Sequence, residues 1–141
     1  GEYSLHDFSR SARFLDVPYT HPATFPINTM HAARAYYWLH DNDCETARAF
    51  AHSVYRAYFR DGRDIADVAV VLELATRHGA DRATLAEALN SVALKERLKA
   101  ECEAALAKGV FGSPYISVDG EPFFGADRLP QIERWLDSGG F

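Results

Sequence analysis

The chain has 141 residues, of which 48% are apolar, 25% charged and 13% aromatic, and its net charge is −5. This balance describes a soluble globular protein that can bury a core without disulfides or metal, and it excludes collagenous and disordered classes. No apolar run approaches the about 20 residues that span a bilayer; no leader-like segment opens the chain and no basic block is interleaved with aromatics, so a cytoplasmic protein with no membrane or nucleic-acid partner is expected.

Most of the sequence reads as helix. Ser4 is placed to cap a first segment with Leu5, Phe8, Ala12 and Leu15 at helical spacing. Val17-Pro18 ends it, because the residue before proline is pushed out of the α region. A stiff loop with Pro18, Pro22 and Pro26 follows, suited to form a pocket wall. Asn28 is the expected cap of a second helix through Met30, Ala33, Tyr37 and Leu39. Asp41-Asn42-Asp43 separates it from a third, whose stripe is Ala47, Phe50, Val54, Ala57 and Tyr58. The remaining aromatics of these two helices are assigned to the core by default.

Residues 60–64 read as a turn, and a fourth helix runs from about Asp67 to His78 with Val68, Val71, Leu72 and Ala75 inward and Gly79 after its end. A short piece spans Thr84–Leu89. Ser91 then caps a long helix through Leu94, Leu98, Cys102 and Leu106. Cys44 and Cys102 form no C-x-x-C and are expected as buried or half-buried free thiols. The histidines include no i, i+4 pair, so no metal site is expected.

At Gly109 the pattern changes. Tyr115–Val118 is rich in aromatic and β-branched residues and reads as a strand. Asp119-Gly120 is a type I′ hairpin signal, and Pro122-Phe123-Phe124 a short second strand. Gly125-Ala126-Asp127 opens a last helix with Leu129, Ile132, Trp135 and Leu136 inward. Two domains are thus expected: helices over 1–108 and a β-β-α stretch over 109–141. A lone two-stranded sheet is marginal in water, so the hairpin is expected to pair with strands not encoded here, and its open edge favours self-association as a homodimer.

Three stretches carry chemistry. Ser113-Pro114 enters the first strand; a cis bond there turns the Ser113 N–H and C=O outward toward an extended peptide ligand, and a trans bond makes an ordinary strand entry. Phe124-Gly125-Ala126-Asp127 is a strand-to-helix junction whose free N–H groups suit an anion, with Asp127 either the cap or an acceptor for a ligand ammonium. In the loop before the second helix, Phe25 lines a pocket for a flat ligand or packs in the core, and Asn28 offers an amide or caps.

The run Gly109-Val110-Phe111-Gly112-Ser113-Pro114, the strand, Asp119-Gly120-Glu121, and Phe124-Gly125-Ala126-Asp127-Arg128-Leu129 with Glu133 resembles the C-terminal end of the 2-hydroxychromene-2-carboxylate isomerases. That family belongs to the DsbA-like thioredoxin superfamily and is related to the kappa-class glutathione transferases. Arg10–Pro18 and Phe25-Pro26-Ile27-Asn28-Thr29 also resemble that family. The resemblance implies an α/β, mostly helical chain: the helical insertion of a thioredoxin-like fold followed by its C-terminal β-β-α half, with the N-terminal β-α-β half missing.

It further implies glutathione as cofactor. Ser113 and Pro114 would hold the cysteinyl part through the backbone, and Phe124, Gly125, Ala126 and Asp127 the γ-glutamyl end. Phe25 and Asn28 would belong to the pocket of an aromatic carboxylate substrate. Phe25 matches an aromatic that is tyrosine in some relatives, and Ser113 stands where the family usually has an aliphatic residue. The catalytic serine would lie upstream, so no catalytic residue is assigned. The implied activity is glutathione-dependent isomerisation of an aromatic-degradation intermediate. A glutathione transferase or DsbA-type disulfide oxidoreductase of the same fold is the alternative, and a non-catalytic helical binding module the alternative of another class.

Overall fold

The computed structural model describes residues 2–141, which divide into two compact units, one ending at Lys99 and the other running from Ala100 to Phe141. The first unit is helical: α1 (Glu2–Phe14), α2 (Met30–His40), α3 (Cys44–Phe59), α4 (Val68–Thr76) and α5 (Arg82–Asn90), with α6 (Val92–Ala107) crossing the division. Its centre is formed by Phe50, Val71, Leu85 and Leu89, all fully buried, where α2, α3, α4 and α5 pack together. Every residue of the expected α3 stripe is buried.

Aspartates start these helices. The side chains of Asp43, Asp67 and Asp81 accept from the N–H of Glu45, Ala69 and Thr84, each supplying an acceptor for an orphan donor of the first turn. Ser91 caps α6 as expected, its Oγ accepting from the Leu94 N–H at 3.2 Å. Asn28 acts one residue earlier than expected: Thr29 is the N-cap of α2, while the Asn28 Oδ1 accepts from the Met30 N–H at 2.9 Å. The stretch around Thr84–Leu89 is a full nine-residue helix.

Several expectations are corrected. Helix α1 begins at Glu2, so Ser4 lies inside it, and none of its residues is buried. Cys44 and Cys102 are both exposed, because each points off the core side of its helix. Leu106, Leu129 and Leu136 are likewise exposed, whereas Ile132 alone of the α7 stripe is buried.

In the second unit β1 (Tyr115–Val118) and β2 (Glu121–Phe124) pair antiparallel, with Tyr115 opposite Phe124 and Val118 opposite Glu121. Asp119 and Gly120 both take positive φ (53° and 87°), the requirement of the expected type I′ turn. Pro122 faces Ser117 in a pair whose amides turn outward, so its missing N–H removes no bond between the strands. Phe123 is buried against Trp135 of α7 (Leu129–Ser138), ring centroids 5.8 Å apart. Among the described residues no helix is long and apolar enough to cross a membrane.

Candidate functional site

The predicted site residues fall into two groups, one in each unit. In the second unit the Ser113–Pro114 bond is cis. The Gly125 N–H donates to the Pro114 carbonyl at 3.0 Å, extending the ladder one rung past β2 and bringing Pro114 and Gly125 together. Phe124 packs on Phe111 with ring centroids 4.8 Å apart, and Gly112 lets that ring lie close: a Cβ there would stand 2.6 Å from Phe124 Cε2.

Gly125 has φ 104° and ψ 149°, a backbone region essentially closed to other residues. A Cβ there would collide with the Asp127 carboxylate. The bend therefore brings the Asp127 side chain over the Gly125 backbone. The junction runs through a short 3-10 turn, Ala126–Arg128, before α7 begins. Asp127 caps neither element; its side chain is 73% exposed, with Arg128 at 3.6 Å as its ionic neighbour. Of the two roles open for Asp127 in the sequence, the capping one is removed.

Among the described residues, the N–H groups of Ala126 and Asp127 and the backbone of Ser113 have no backbone hydrogen-bond partner. Ser113, Pro114, Phe124, Ala126 and Asp127 are all exposed, with Gly125 half-buried between them. The result is a shelf of free donors and acceptors beside one exposed carboxylate. It can hold an extended peptide through its backbone and an ammonium through Asp127.

Phe25 lines a cavity of about 630 Å³ in the helical unit, between the loop and helices α2 and α3. The loop is held by two bonds to α3: the Thr20 N–H donates to the Phe59 carbonyl and the Tyr58 hydroxyl to the Thr24 carbonyl, both at 2.6 Å. Burial pushes the Tyr58 phenol above its ordinary pKa, which keeps it a donor. The Phe25–Pro26 bond is cis, and Phe25 meets Phe8 of α1 edge-on at 6.2 Å. Asn28 does not line the cavity; its neighbours Ile27 and Thr29 do.

Phe25 and Pro26 of this wall, both on the stiff loop, are as the sequence predicts; the helical part of the wall is not. Of the aromatics assigned to the core by spacing, Tyr58 is buried in it and Tyr36 and Phe59 pack against it, whereas Tyr55 is 63% exposed; all four also line the cavity. The overlooked signal was Ala32, Ala33 and Ala51, small residues facing large rings, which leave the space open.

The sequence matches the DSBA-like thioredoxin domain over residues 1–137, helices and hairpin alike. It is 32% identical over 132 residues to the 2-hydroxychromene-2-carboxylate isomerase of Sphingobium xenophagum, which covers 94% of this chain and 66% of that protein. It is 25% identical over 135 residues to the isomerase of the same name from Pseudomonas sp. (strain C18), covering 94% and 61%. The chain thus spans just under two thirds of the length of these curated relatives. A solved 2-hydroxychromene-2-carboxylate isomerase superposes with a TM-score of 0.87 at 25% identity, covering 96% of this chain and 65% of that one. The match takes in the expected helical insertion together with the hairpin, and the absence of an N-terminal half is no part of what it establishes. With the helices and the hairpin in one continuous match, the chain belongs to the DSBA-like thioredoxin domain family.

Proposed function

We propose that this chain is part of a glutathione-dependent isomerase acting on 2-hydroxychromene-2-carboxylate-type intermediates of aromatic degradation. The observation that carries the reading is the shelf at Gly125: one residue confined to a glycine-only conformation, two free N–H groups and an exposed carboxylate in sequence. A tripeptide with an extended backbone and a terminal ammonium has the complementary groups. A side chain at Gly125 would displace the Asp127 carboxylate from its place over the bend, and with it the group that receives the ammonium.

Each residue then has a role. Ser113 pairs through its N–H and C=O with the cysteinyl part, so its departure from the aliphatic residue usual in the family leaves the pairing intact. Pro114 shapes that edge, Ala126 donates to the γ-glutamyl carboxylate, and Asp127 accepts from the γ-glutamyl ammonium. Phe124 packs along the peptide. In the helical unit Phe25 forms a wall for the substrate ring, and Asn28, with Oδ1 engaged at Met30, keeps its Nδ2 group as a donor.

Glutathione held by Ser113, Gly125, Ala126 and Asp127 would supply a nucleophilic thiol, the chemistry needed for reversible addition to the conjugated substrate and rotation about the former double bond. The protein's part is to orient it. No residue of this chain is assigned the thiol-facing role. Two exposed free thiols suit a reducing, cytoplasmic compartment.

The test is calorimetric titration of the full-length protein with glutathione, followed by conversion of 2-hydroxychromene-2-carboxylate to the open-chain trans-alkene pyruvate with and without glutathione. Saturable binding and glutathione-dependent conversion are expected. Conversion at the uncatalysed rate overturns the isomerase; binding without conversion favours a transferase, and no binding by the folded protein favours a helical binding module.

A further inference from the structure

The helical cavity is larger than a two-ring substrate requires. An enclosed apolar cavity of about 150 Å³ holds one benzene ring; this one, about 630 Å³ and open at its rim, has room for more than two fused rings. It reaches from an exposed rim, where Phe25 is 49% and Tyr55 63% exposed, down to the fully buried Phe50 of the core. Half-buried Ala33 on α2 and Ala51 on α3 are among its lining residues, with side chains too small to fill it.

The chemistry of the lining is as informative as its size. Among the described residues, no lysine, arginine, histidine, aspartate or glutamate lines the cavity, and the polar side chains that do are hydroxyls, those of Thr29 and three tyrosines. A carboxylate buried there would lack a cationic partner, at a heavy desolvation cost. Flat neutral rings suit the aromatic walls, which favour edge-on and offset contacts.

We propose that this cavity is a compartment for the fused rings of the substrate alone, leaving the carboxylate outside, and that it admits three- and four-ring members of the hydroxychromene carboxylate class. The inference rests on the isomerase reading for its substrate class. Ala33 and Ala51 are its size-determining residues, because enlarging either shortens the path from rim to Phe50.

The test is equilibrium dialysis of the full-length protein against phenol, 1-naphthol, 9-phenanthrol and 1-hydroxypyrene, for the parent and for Ala51→Phe. The ratio of four-ring to two-ring affinity is expected to fall by about tenfold or more in the variant, the scale set by loss of one ring's burial. Ala33→Leu serves if Ala51→Phe loses its helical circular dichroism, with a smaller fall in the same direction. A ratio unchanged in the folded variants overturns the compartment. Turnover separates the two ideas: ring selectivity without glutathione-dependent turnover of any ring size overturns the isomerase, and turnover confined to the two-ring substrate overturns the inference.

Discussion

The Gly125 N–H donates to the Pro114 carbonyl at 3.0 Å, joining the bend after β2 to the residue that opens β1. Replacing Gly125 by alanine strains the backbone by about 1–3 kcal/mol, the usual penalty for a side chain in such a conformation. The Asp127 carboxylate must also move. Thermal unfolding of Gly125→Ala is expected to show that loss, together with weaker glutathione binding by calorimetry.

Gly112→Ala tests the neighbouring contact. The added methyl meets the far edge of the Phe124 ring, which is 46% exposed and free to swing away. The cost is therefore at the low end for overpacking, about 1 kcal/mol. Near-ultraviolet circular dichroism is expected to report the displaced Phe111–Phe124 pair, and Phe124→Leu in the Gly112→Ala background to recover part of the stability.

Asp127→Asn separates binding from folding. The side chain caps no helix and is mostly exposed, so stability is expected to stay within about 0.5 kcal/mol. Glutathione affinity is expected to fall about tenfold or more, the worth of a hydrogen bond to a charged partner. A calorimetric Kd equal to that of the parent removes Asp127 from the cradle.

Tyr58→Phe deletes the bond to the Thr24 carbonyl that holds the loop against α3. A loss of about 0.5–1.5 kcal/mol is expected in denaturant unfolding. Faster amide exchange across residues 20–27, with α4 and α5 unaffected, is the local signature.

Acid stability follows from the capping aspartates. Asp43 accepts from the Thr46 hydroxyl and the Glu45 N–H, and Asp81 from the hydroxyl and N–H of Thr84, and these bonds hold both carboxyls below the usual range. A carboxyl whose pKa is lower folded than unfolded binds fewer protons when folded. Its contribution is complete above the unfolded value of about 3.9 and is lost as pH falls through the folded value. The melting temperature is expected to drop on acidification below about pH 5, and less steeply in the Asp43→Asn/Asp81→Asn double variant, because asparagine caps without titrating.

What the sequence disclosed depended on how local the cause was. The α3 stripe and the Asp119-Gly120 turn follow from periodicity and sterics within a few residues, and both are observed as expected. Helix α5 was under-read because its alanines show little contrast between faces, although Asp81 and Thr84 carried a capping signal. The reading of Leu106, Leu129, Leu136 and both cysteines as inward assumed that every apolar stripe has a partner, and these residues are exposed. At the Gly125 bend the strand-to-helix junction was legible but not the release of Asp127 from capping, since capping and ligand binding ask for the same side chain. The cavity was least legible, because a gap is made by what several alanines lack.

The outward turn of Pro122 gives the hairpin a sidedness. Along the β1 margin Tyr115 and Ser117 each present an amide donor, whereas along the β2 margin only Phe124 does. An incoming strand would forfeit a rung on the proline side and meet an unbroken series on the other. Sheet growth, in assembly or in unwanted aggregation, is thereby steered to a single flank.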